Sequence, residues 1–439
     1  MKIVLLLFAL TPITLAAQQL VQTYYDSTQT KPLERYTILE GDSSRIDGLY
    51  IQLSETGDTL ITGEFKDGTK HGVFKNFYPD GSLQRVTRYS EGLRQGETLV
   101  YFETGILLQK GYFKDDTLVN ELTSYYPTGK IQSTTEFKKG QPDGVVRKYY
   151  PDGELKQEIY YANGKPNGPE KTYYENGNLR SDINYVNGMI DGHLRTYFEN
   201  GNPETEAFNY RGEKSGSYKT FHTNGQLKYE GTYVAGALSG PVNTYYDDGS
   251  PEQILNYVEG YRVGKSTAYY PDGQLKQETN YGNAEKTRVI TDYSTEGKKL
   301  SEKTYKDDFK SGKWKYYNGD EVVILEESYA YGKKQGTETA FNENGTKIRE
   351  SPYKNDRKHG EERLYFPDGE LSELITYEFD RRQGLYIKYD ETGNALEKGE
   401  YHRNQKHGEW ESYDDKGEIS SVTTYKYGEV VEPTEGQLH

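Results

Sequence analysis

The sequence predicts an all-β fold: an elongated, single-sheet antiparallel β-meander or solenoid built from 24-residue β-hairpin repeats. Three observations predict it. A glycine returns every 24 residues, aromatic residues recur at fixed distances from that glycine, and Tyr and Gly reach 44 and 47 of 439 residues. A hydrophobic content of 33% and a net charge of -15 would be typical of disorder, but disordered chains are poor in aromatic residues. Tyr suits strands, and Gly with Asp or Asn suits turns.

The recurring glycine, called the marker glycine, sets the repeat. Slot 321, where the series is interrupted, holds Glu, and Gly319 lies just before it. The marker glycines are Gly57, Gly81, Gly105, Gly129, Gly153, Gly177, Gly201, Gly225, Gly249, Gly273, Gly297, Gly345, Gly369, Gly393 and Gly417.

Two aromatic columns keep the same period. The first-aromatic column stands four residues before the marker, as in Tyr149 and Tyr173, and is unbroken from Phe77 to Tyr413. The return-strand aromatic column stands eight residues after the marker, from Phe65 to Tyr425, with Asn209 as its exception. An aliphatic column follows the marker by two residues: Leu83, Leu107, Ile131, Leu155, Leu179, Leu227, Leu275 and Leu371.

One repeat reads as a hairpin. Residues 169–174 form a strand, 175–178 a tight turn containing Asn-Gly, and 179–185 the return strand. Leu179 and Tyr185 are six residues apart, which predicts that they share a face of the sheet. The Gly188/Gly192 pair indicates a wider turn into the next repeat. At ~4.8 Å per strand, about sixteen such units would extend for roughly 150 Å.

The ends of the chain differ from the repeats. Residues 1–17 are typical of a secretory signal peptide, with Lys2, an apolar run and small residues before a cut near Gln18. Residues 18–47 are predicted to form an N-terminal cap, residues 48–427 the array and residues 428–439 a tail. Lost glycines predict an irregularity at 283–321. The apolar runs are too short for a transmembrane span.

The sequence predicts neither an enzyme nor a cofactor or metal site. There is no Cys and no Gly-x-Ser-x-Gly elbow. His71, His359 and His407 share one slot of the repeat, which favours a role in turn packing over zinc binding. The Asp and Asn residues before the marker glycines fit turn preference better than calcium loops. The acidic balance argues against nucleic acid as a partner.

The residues following the first aromatics form the second-tyrosine column, which is the predicted partner-binding surface. It contains Tyr on the middle repeats and gives way elsewhere to residues such as His222, Ser294 and Asp390. Variation of this kind favours an exposed surface, whereas the alternative is that all the rings stack as core. The candidate binding residues are Tyr126, Tyr150, Tyr174, Tyr246 and Tyr270.

These residues resemble a known family. The Tyr-x-x-Gly-x-x-x-Gly pattern, with His before the second Gly in Lys70-His71-Gly72 and Lys406-His407-Gly408, looks like the MORN repeat. The added Tyr-Tyr-Pro-Asp-Gly-x-Leu segment is closest to the bacterial MORN-repeat variant, over roughly residues 48–427. The resemblance implies an interaction scaffold, and by family label alone an antitoxin-like role.

Together these features predict a non-enzymatic scaffold outside the cytoplasm, periplasmic, surface-associated or secreted, whose macromolecular partner is a protein. The first alternative is glycan or cell-wall binding through exposed Tyr side chains. Repeats that bind cell walls or glucans are usually richer in Trp than this chain, whose two Trp residues are Trp314 and Trp410. A hydrolase within 283–321 is the second alternative. The partner and the oligomeric state are left open.

Overall fold

The computed structural model describes residues 18–39, 42–282 and 285–431. The chain divides into two compact units, Met1–Glu213 and Lys214–His439. In each unit the strands belong to a single antiparallel sheet in which successive hairpins follow one another in chain order. The predicted all-β meander of 24-residue hairpins is therefore confirmed. The predicted signal peptide, residues 1–17, lies outside the described residues.

The first unit contains the cap region and the first repeats. Residues 18–47, predicted as a cap, contribute strands that pair in the same antiparallel manner as the repeats. Its strands are β1 (Gln18–Tyr24), β2 (Pro32–Leu39), β3 (Asp42–Leu53), β4 (Thr59–Lys66), β5 (Thr69–Phe77), β6 (Leu83–Ser90), β7 (Leu93–Tyr101), β8 (Leu107–Lys114), β9 (Thr117–Tyr125), β10 (Ile131–Lys138), β11 (Gln141–Tyr149), β12 (Leu155–Ala162), β13 (Lys165–Tyr173), β14 (Leu179–Val186), β15 (Met189–Tyr197) and β16 (Pro203–Tyr210).

The second unit continues the period. Strand β17 starts at the boundary residue, and in several repeats a bulge splits the first strand into a two-residue and a six-residue piece. The strands are β17 (Glu213–Phe221), β18 (Leu227–Val234), β19 (Ala237–Leu238), β20 (Gly240–Tyr245), β21 (Pro251–Val258), β22 (Tyr261–Arg262), β23 (Gly264–Tyr269), β24 (Leu275–Gly282), β25 (Thr287–Tyr293), β26 (Lys299–Lys306), β27 (Phe309–Lys310), β28 (Gly312–Tyr317), β29 (Val323–Ala330), β30 (Lys333–Lys334), β31 (Gly336–Phe341), β32 (Lys347–Lys354), β33 (Arg357–Lys358), β34 (Gly360–Tyr365), β35 (Leu371–Glu378), β36 (Arg381–Tyr389), β37 (Ala395–His402), β38 (Gln405–Tyr413), β39 (Ile419–Lys426) and β40 (Glu429–Val430).

The predicted irregularity at 283–321 falls on β25 to β28. Residues 283 and 284 lie outside the described residues. Strand β25 pairs with β24 from Gln277–Asp292 to Gly282–Thr287, without a register shift, and also pairs with β26. The stretch with unusual glycine spacing thus keeps antiparallel pairing on both sides of β25. Whether it divides the array stays a prediction.

The two turns of each repeat have the reverse of the predicted sizes. Asn187-Gly188 is the tight turn, because both residues have positive φ (52° and 86°) and Val186 pairs with Met189 across them. This is the type I′ geometry for which Asn-Gly is favoured. Gly192 lies within β15, opposite Asn209, so the predicted wide Gly188/Gly192 turn is wrong.

The marker turn is a longer type. The Gly177 amide donates to the Tyr174 carbonyl at 3.0 Å, and only Gly177 has positive φ (84°) within residues 174–178. Gly supplies the left-handed position that closes a type I turn with a bulge. The register shift next to Tyr173 inserts an extra residue, Arg180, into the return strand. The bulge interrupts the alternation of side chains, so Leu179 pairs with Tyr173, and the shared face predicted for Leu179 and Tyr185 is wrong.

The core is a line of residues called the central row. Its members face one another midway along successive strands: Val146 is opposite Ile159, Ile159 opposite Glu170, and Ile183 opposite Leu194. The return-strand aromatics stand two residues further along the same strands and therefore on the same face. Each hairpin is too small to bury this row alone, so its stability comes from its neighbours.

Large and small side chains alternate where the row is tightest. A Cβ added to Gly63 would come within 2.5 Å of the Phe74 ring, and one added to Gly399 within 2.3 Å of the Trp410 ring. Neither glycine has a positive φ, so the absence of a side chain, rather than backbone freedom, is what these positions require. The ring of one strand occupies the space that the neighbouring glycine leaves empty.

Candidate interaction surfaces

The five candidate binding residues of the second-tyrosine column are all half-buried, and each hydroxyl group donates a hydrogen bond to the next repeat. The acceptor is always the carbonyl of a first-aromatic residue. The bonds run from Tyr126 to Tyr149, Tyr150 to Tyr173, Tyr174 to Tyr197 and Tyr246 to Tyr269, each at 2.8 Å, and from Tyr270 to Tyr293 at 2.9 Å. These side chains therefore join neighbouring repeats, and a binding role stays a prediction for their partly exposed rings.

The variation of this column has a structural reason. At position 222 the His Nε2 atom lies 2.9 Å from the Tyr245 carbonyl oxygen, which reproduces the tyrosine contact. Asn342 and Asp390 fix their own turns instead, because their Oδ1 atoms accept hydrogen bonds from the Thr346 and Asn394 amides, both at 2.9 Å. A residue of this column either contacts the next repeat, as Tyr and His222 do, or fixes its own marker turn, as Asn342 and Asp390 do. The variation of the column is therefore not by itself evidence that it is exposed.

Cations cover aromatic rings of the central row. The Lys406 ammonium group lies 3.8 Å from the centre of the Trp410 ring, and that of Lys214 lies 3.9 Å from the Tyr218 ring. Lys310 covers Trp314 at 4.4 Å. A cation over an aromatic face is attracted by the ring quadrupole, and its alkyl stem excludes water. In this way a single-layer sheet leaves only 3% of the Trp410 surface exposed.

Charged groups interrupt the central row in the second unit. The Lys334 ammonium group lies 2.7 Å from Glu327 and 2.5 Å from Glu338, and Arg349 donates to Glu338 at 2.7 Å. One step along the row, Lys358 and the Ser351 hydroxyl both donate to Glu362. Each of these carboxylates has a basic partner, so the cluster is a balanced ion network within the core.

The pKa shifts in this network follow from burial and pairing. Burial acts to raise the pKa of the Glu362 carboxyl, but the hydrogen bonds from Lys358 and Ser351 outweigh it and the pKa lies below its usual range. The pKa of Glu327 is lowered in the same way by Lys334. Burial and the adjacent Glu327 carboxylate raise the pKa of Tyr316 to about 12, which keeps its hydroxyl protonated as a donor.

Five exposed aromatic residues lie at the tight turns of the second unit. Tyr331 is 86% exposed, Phe309 56%, Tyr261 55%, Tyr427 54% and Phe379 45%. Tyr331, Phe379 and Tyr427 hold the first turn position, with φ near 50°, where earlier repeats have Asn163 and Asn187. None of the five was among the predicted binding residues, because the segment was predicted to be a wide turn. The signal that could have found them was an aromatic residue in a slot otherwise suited to Asn or Asp.

Histidine rings pack at the same turns. His359 lies 4.8 Å from the Phe379 ring, and His407 lies 5.1 Å from the Tyr427 ring and 5.7 Å from the His402 ring. The predicted turn-packing position of His359 and His407 agrees with these contacts. Over residues 18–39, 42–282 and 285–431, no three His, Cys, Asp or Glu side chains are grouped as metal ligands. In the same ranges no helix has the length and apolarity to cross a membrane.

The strands, turns and stacked rows define a protein made of tandem β-hairpin repeats. The chain belongs to the family described as "MORN repeat variant", and the resemblance seen in the sequence is confirmed. The matched segments are residues 70–91, 94–115, 118–139, 142–163, 166–187, 190–211, 214–235, 262–283, 334–355, 358–378 and 406–427. A comparison with curated proteins found no match.

Among solved structures the similarity is distant. A structure titled "Crystal Structure of TcdB2-TccC3" is 13% identical, with a TM-score of 0.16, over 93% of this chain and 27% of that chain. The same complex without its hypervariable C-terminal region is 15% identical, with a TM-score of 0.15, over 90% of this chain and 24% of that chain. This chain thus spans about a quarter of the length of those chains.

Proposed function

We propose that this chain is an exported, non-enzymatic repeat scaffold that binds a protein partner through the exposed aromatic residues at the tight turns of its second unit. The observation that carries the proposal is the exposure of Tyr331, Phe309, Phe379 and Tyr427. Export rests on the signal peptide predicted at residues 1–17. The scaffold role also agrees with the balanced ion network, whose carboxylates are already paired with basic groups.

Folding alone does not account for these aromatic residues. A bulky side chain in the left-handed region costs about 1 kcal/mol, whereas Asn tolerates it. Asn163, Asn187 and Asn355 make the same turn with φ of 50°, 52° and 51°. Exposed Tyr and Phe side chains are, in contrast, well suited to protein interfaces, where they bury a large area with few rotatable bonds.

The test is crosslinking of the chain in its native cell, followed by identification of the attached protein and a binding measurement with that protein. The test variant carries Tyr331→Asn, Phe379→Asn and Tyr427→Asn together. The matched control is Ala235→Asn, which changes the same turn slot, with φ of 47°, in a repeat whose tight turn carries no aromatic residue.

We expect the triple variant to fold and to bind the identified partner about a hundredfold more weakly, because aromatic anchors dominate interface energies. The control should bind as the unaltered chain does. Equal binding by the triple variant, or equal loss in both variants, would refute these turns as the binding surface. Recovery of the chain without any crosslinked protein would refute the protein partner.

Glycan binding is the second candidate, and one recess favours it. Phe309 and Tyr331 line a hollow of about 430 Å³ together with Lys306, Asp307 and Ser311. An aromatic platform beside hydroxyl, carboxylate and ammonium groups is suited to a sugar ring. Retention on peptidoglycan or polysaccharide beads that is lost in a Phe309→Ala/Tyr331→Asn variant would support a glycan. Retention unchanged by that variant, or no retention at all, would count against it.

A further inference from the structure

At three places in the described part of the chain, an aromatic side chain of the central row makes ring contacts with two successive return-strand aromatics. Phe74 lies 5.5 Å from Phe65 and 5.1 Å from Tyr89, measured between ring centres. Trp314 lies 5.1 Å from both Tyr305 and Tyr329. Trp410 lies 5.1 Å from Tyr401 and 6.2 Å from Tyr425. The fold thus provides a ring-sized slot between consecutive aromatics of this column.

In four repeats of the first unit the residue between the two flanking rings is not aromatic: Thr98, Leu122, Val146 and Glu170 hold that place, and Thr98 is the smallest of them. Thr98 takes the place of Phe74 or Trp314, between Tyr89 and Phe113. Its neighbours in the row are also small, since Thr87 and Gly111 face it on either side. The result is a recess of about 370 Å³ with these three residues at its floor and Val100, Gln109, Leu118 and Leu122 among its walls.

A small central residue does not produce such a recess by itself. Ser266 holds the equivalent position between Tyr257 and Tyr281 and is 4% exposed. There Arg262 closes the slot, because its guanidinium group donates to the Tyr257 hydroxyl at 3.2 Å and the Tyr281 hydroxyl at 3.0 Å. In the Thr98 repeat the corresponding cation, Arg94, is drawn instead to Asp116 at 3.0 Å and leaves the slot open.

The polar groups of the recess point to a charged ligand. The Thr98 Oγ1 atom is buried and makes no hydrogen bond within the described part of the chain. The Arg94 guanidinium group lies 4.0 Å from the centre of the Phe113 ring and forms a cationic wall beside the open slot. Arg85, which also lines the recess, has an exposed side chain and no ion pair among residues 18–39, 42–282 and 285–431.

We infer that this recess binds a small planar aromatic molecule that carries a carboxylate. The ligand ring takes the place that Phe74, Trp314 and Trp410 fill in their own repeats, between Tyr89 and Phe113. Arg85 pairs with the carboxylate, and Thr98 Oγ1 accepts a ring N–H. The site goes beyond the proposed function and does not depend on it, since it lies in the first unit.

The experiment titrates the full chain with indole-3-acetate and with neutral indole, followed by ligand-observed NMR up to about 10 mM ligand. Thr98→Phe places the chain's own ring in the slot, as Phe74 does. Arg85→Gln removes the cation of the recess that has no ion pair in the described part of the chain. The matched control is Arg88→Gln, which removes the same charge from β6 but on the other face of the sheet.

We expect saturable binding of indole-3-acetate that Thr98→Phe weakens by about tenfold or more, while the thermal midpoint of that variant stays equal or rises. If Thr98→Phe does not fold, Thr98→Leu fills the slot with a smaller apolar side chain and serves the same purpose. Arg85→Gln should weaken the binding of indole-3-acetate by about threefold and leave the binding of neutral indole unchanged. Arg88→Gln should change the binding of neither ligand.

Absence of binding by the unaltered chain, or binding that both Thr98 variants retain, would overturn the site. Equal effects of Arg85→Gln on indole-3-acetate and on indole would overturn the assignment of Arg85 to the carboxylate. Equal loss of binding in Arg88→Gln would show a general charge effect and would likewise overturn that assignment. None of these results depends on whether the turn aromatics of the second unit bind a partner.

Discussion

The contact between Gly399 and Trp410 offers a direct test of how the central row is packed. Gly399→Ala places a Cβ atom 2.3 Å from Cδ2 and 2.4 Å from Cε2 of the Trp410 ring, in a backbone conformation that alanine can adopt. Overpacking of this kind costs about 1–3 kcal/mol. Trp410→Ala removes a ring that is 3% exposed, and such truncations cost about 3–5 kcal/mol.

The double variant separates the clash from the cavity. With Trp410 replaced by alanine, the methyl group introduced by Gly399→Ala has no ring to meet, and it partly fills the space that the ring has left. The cost of Gly399→Ala should then fall to about zero, which gives a coupling free energy of about 1–3 kcal/mol between the two sites. Gly319→Ala is the control, because nothing lies within 4 Å of a Cβ built there.

The assay must be local, because long repeat arrays need not unfold in one step. Hydrogen exchange followed by mass spectrometry over residues 395–426 measures the free energy of opening around β37 to β39. Peptides from the first unit provide an internal reference. If the two substitutions were additive to within about 0.5 kcal/mol, the ring would not occupy the space left by the glycine and the packing argument would fail.

Three further outcomes are expected. The pKa of the Glu362 carboxyl lies below its usual value in the folded chain, so its ionised pairing with Lys358 stabilises the fold above about pH 5. This stabilisation is lost as the pH falls through the folded pKa. Thermal midpoints measured from pH 7 to 3 should therefore fall less steeply in Glu362→Gln than in the unaltered chain. Tyr150→Phe removes the hydrogen bond to the Tyr173 carbonyl and should cost about 1 kcal/mol by the same exchange assay, and no loss would contradict the joining role of that hydroxyl. Intact-mass analysis of the chain from its native cell should show a mature N-terminus at or near Gln18, whereas a retained Met1 would contradict export by the predicted signal.

The sequence was sufficient for the hairpin period because each repeat makes the same contacts as the next. Equal spacing of Tyr149, Tyr173 and Tyr197 places equivalent residues on successive hairpins, and local turn chemistry then fixes the strands. The two turns were interchanged because Asn-Gly occurs in both, at Asn176-Gly177 and Asn187-Gly188. Only the strand register shows which of them is the two-residue type.

The candidate site was less accessible from sequence. The hydrogen-bond acceptors of the second-tyrosine hydroxyl groups could not be predicted from sequence. The carbonyl that Tyr150 contacts lies in the next repeat, and its position depends on sheet pairing. The recess at Thr98 was missed for a related reason. It depends on two flanking rings and on the conformation of Arg94, and the same kind of small residue at Ser266 is closed over.

The tyrosine hydroxyls that reach one repeat ahead have an evolutionary consequence. Since Tyr126, Tyr150 and Tyr174 each bond the carbonyl 23 residues further on, removal or duplication of a whole 24-residue unit leaves every such pair intact. A change of any other length would break the pairs at the junction. Unequal recombination between neighbouring copies can therefore alter the number of repeats without loss of these hydrogen bonds. Orthologues should accordingly differ in length by multiples of one repeat.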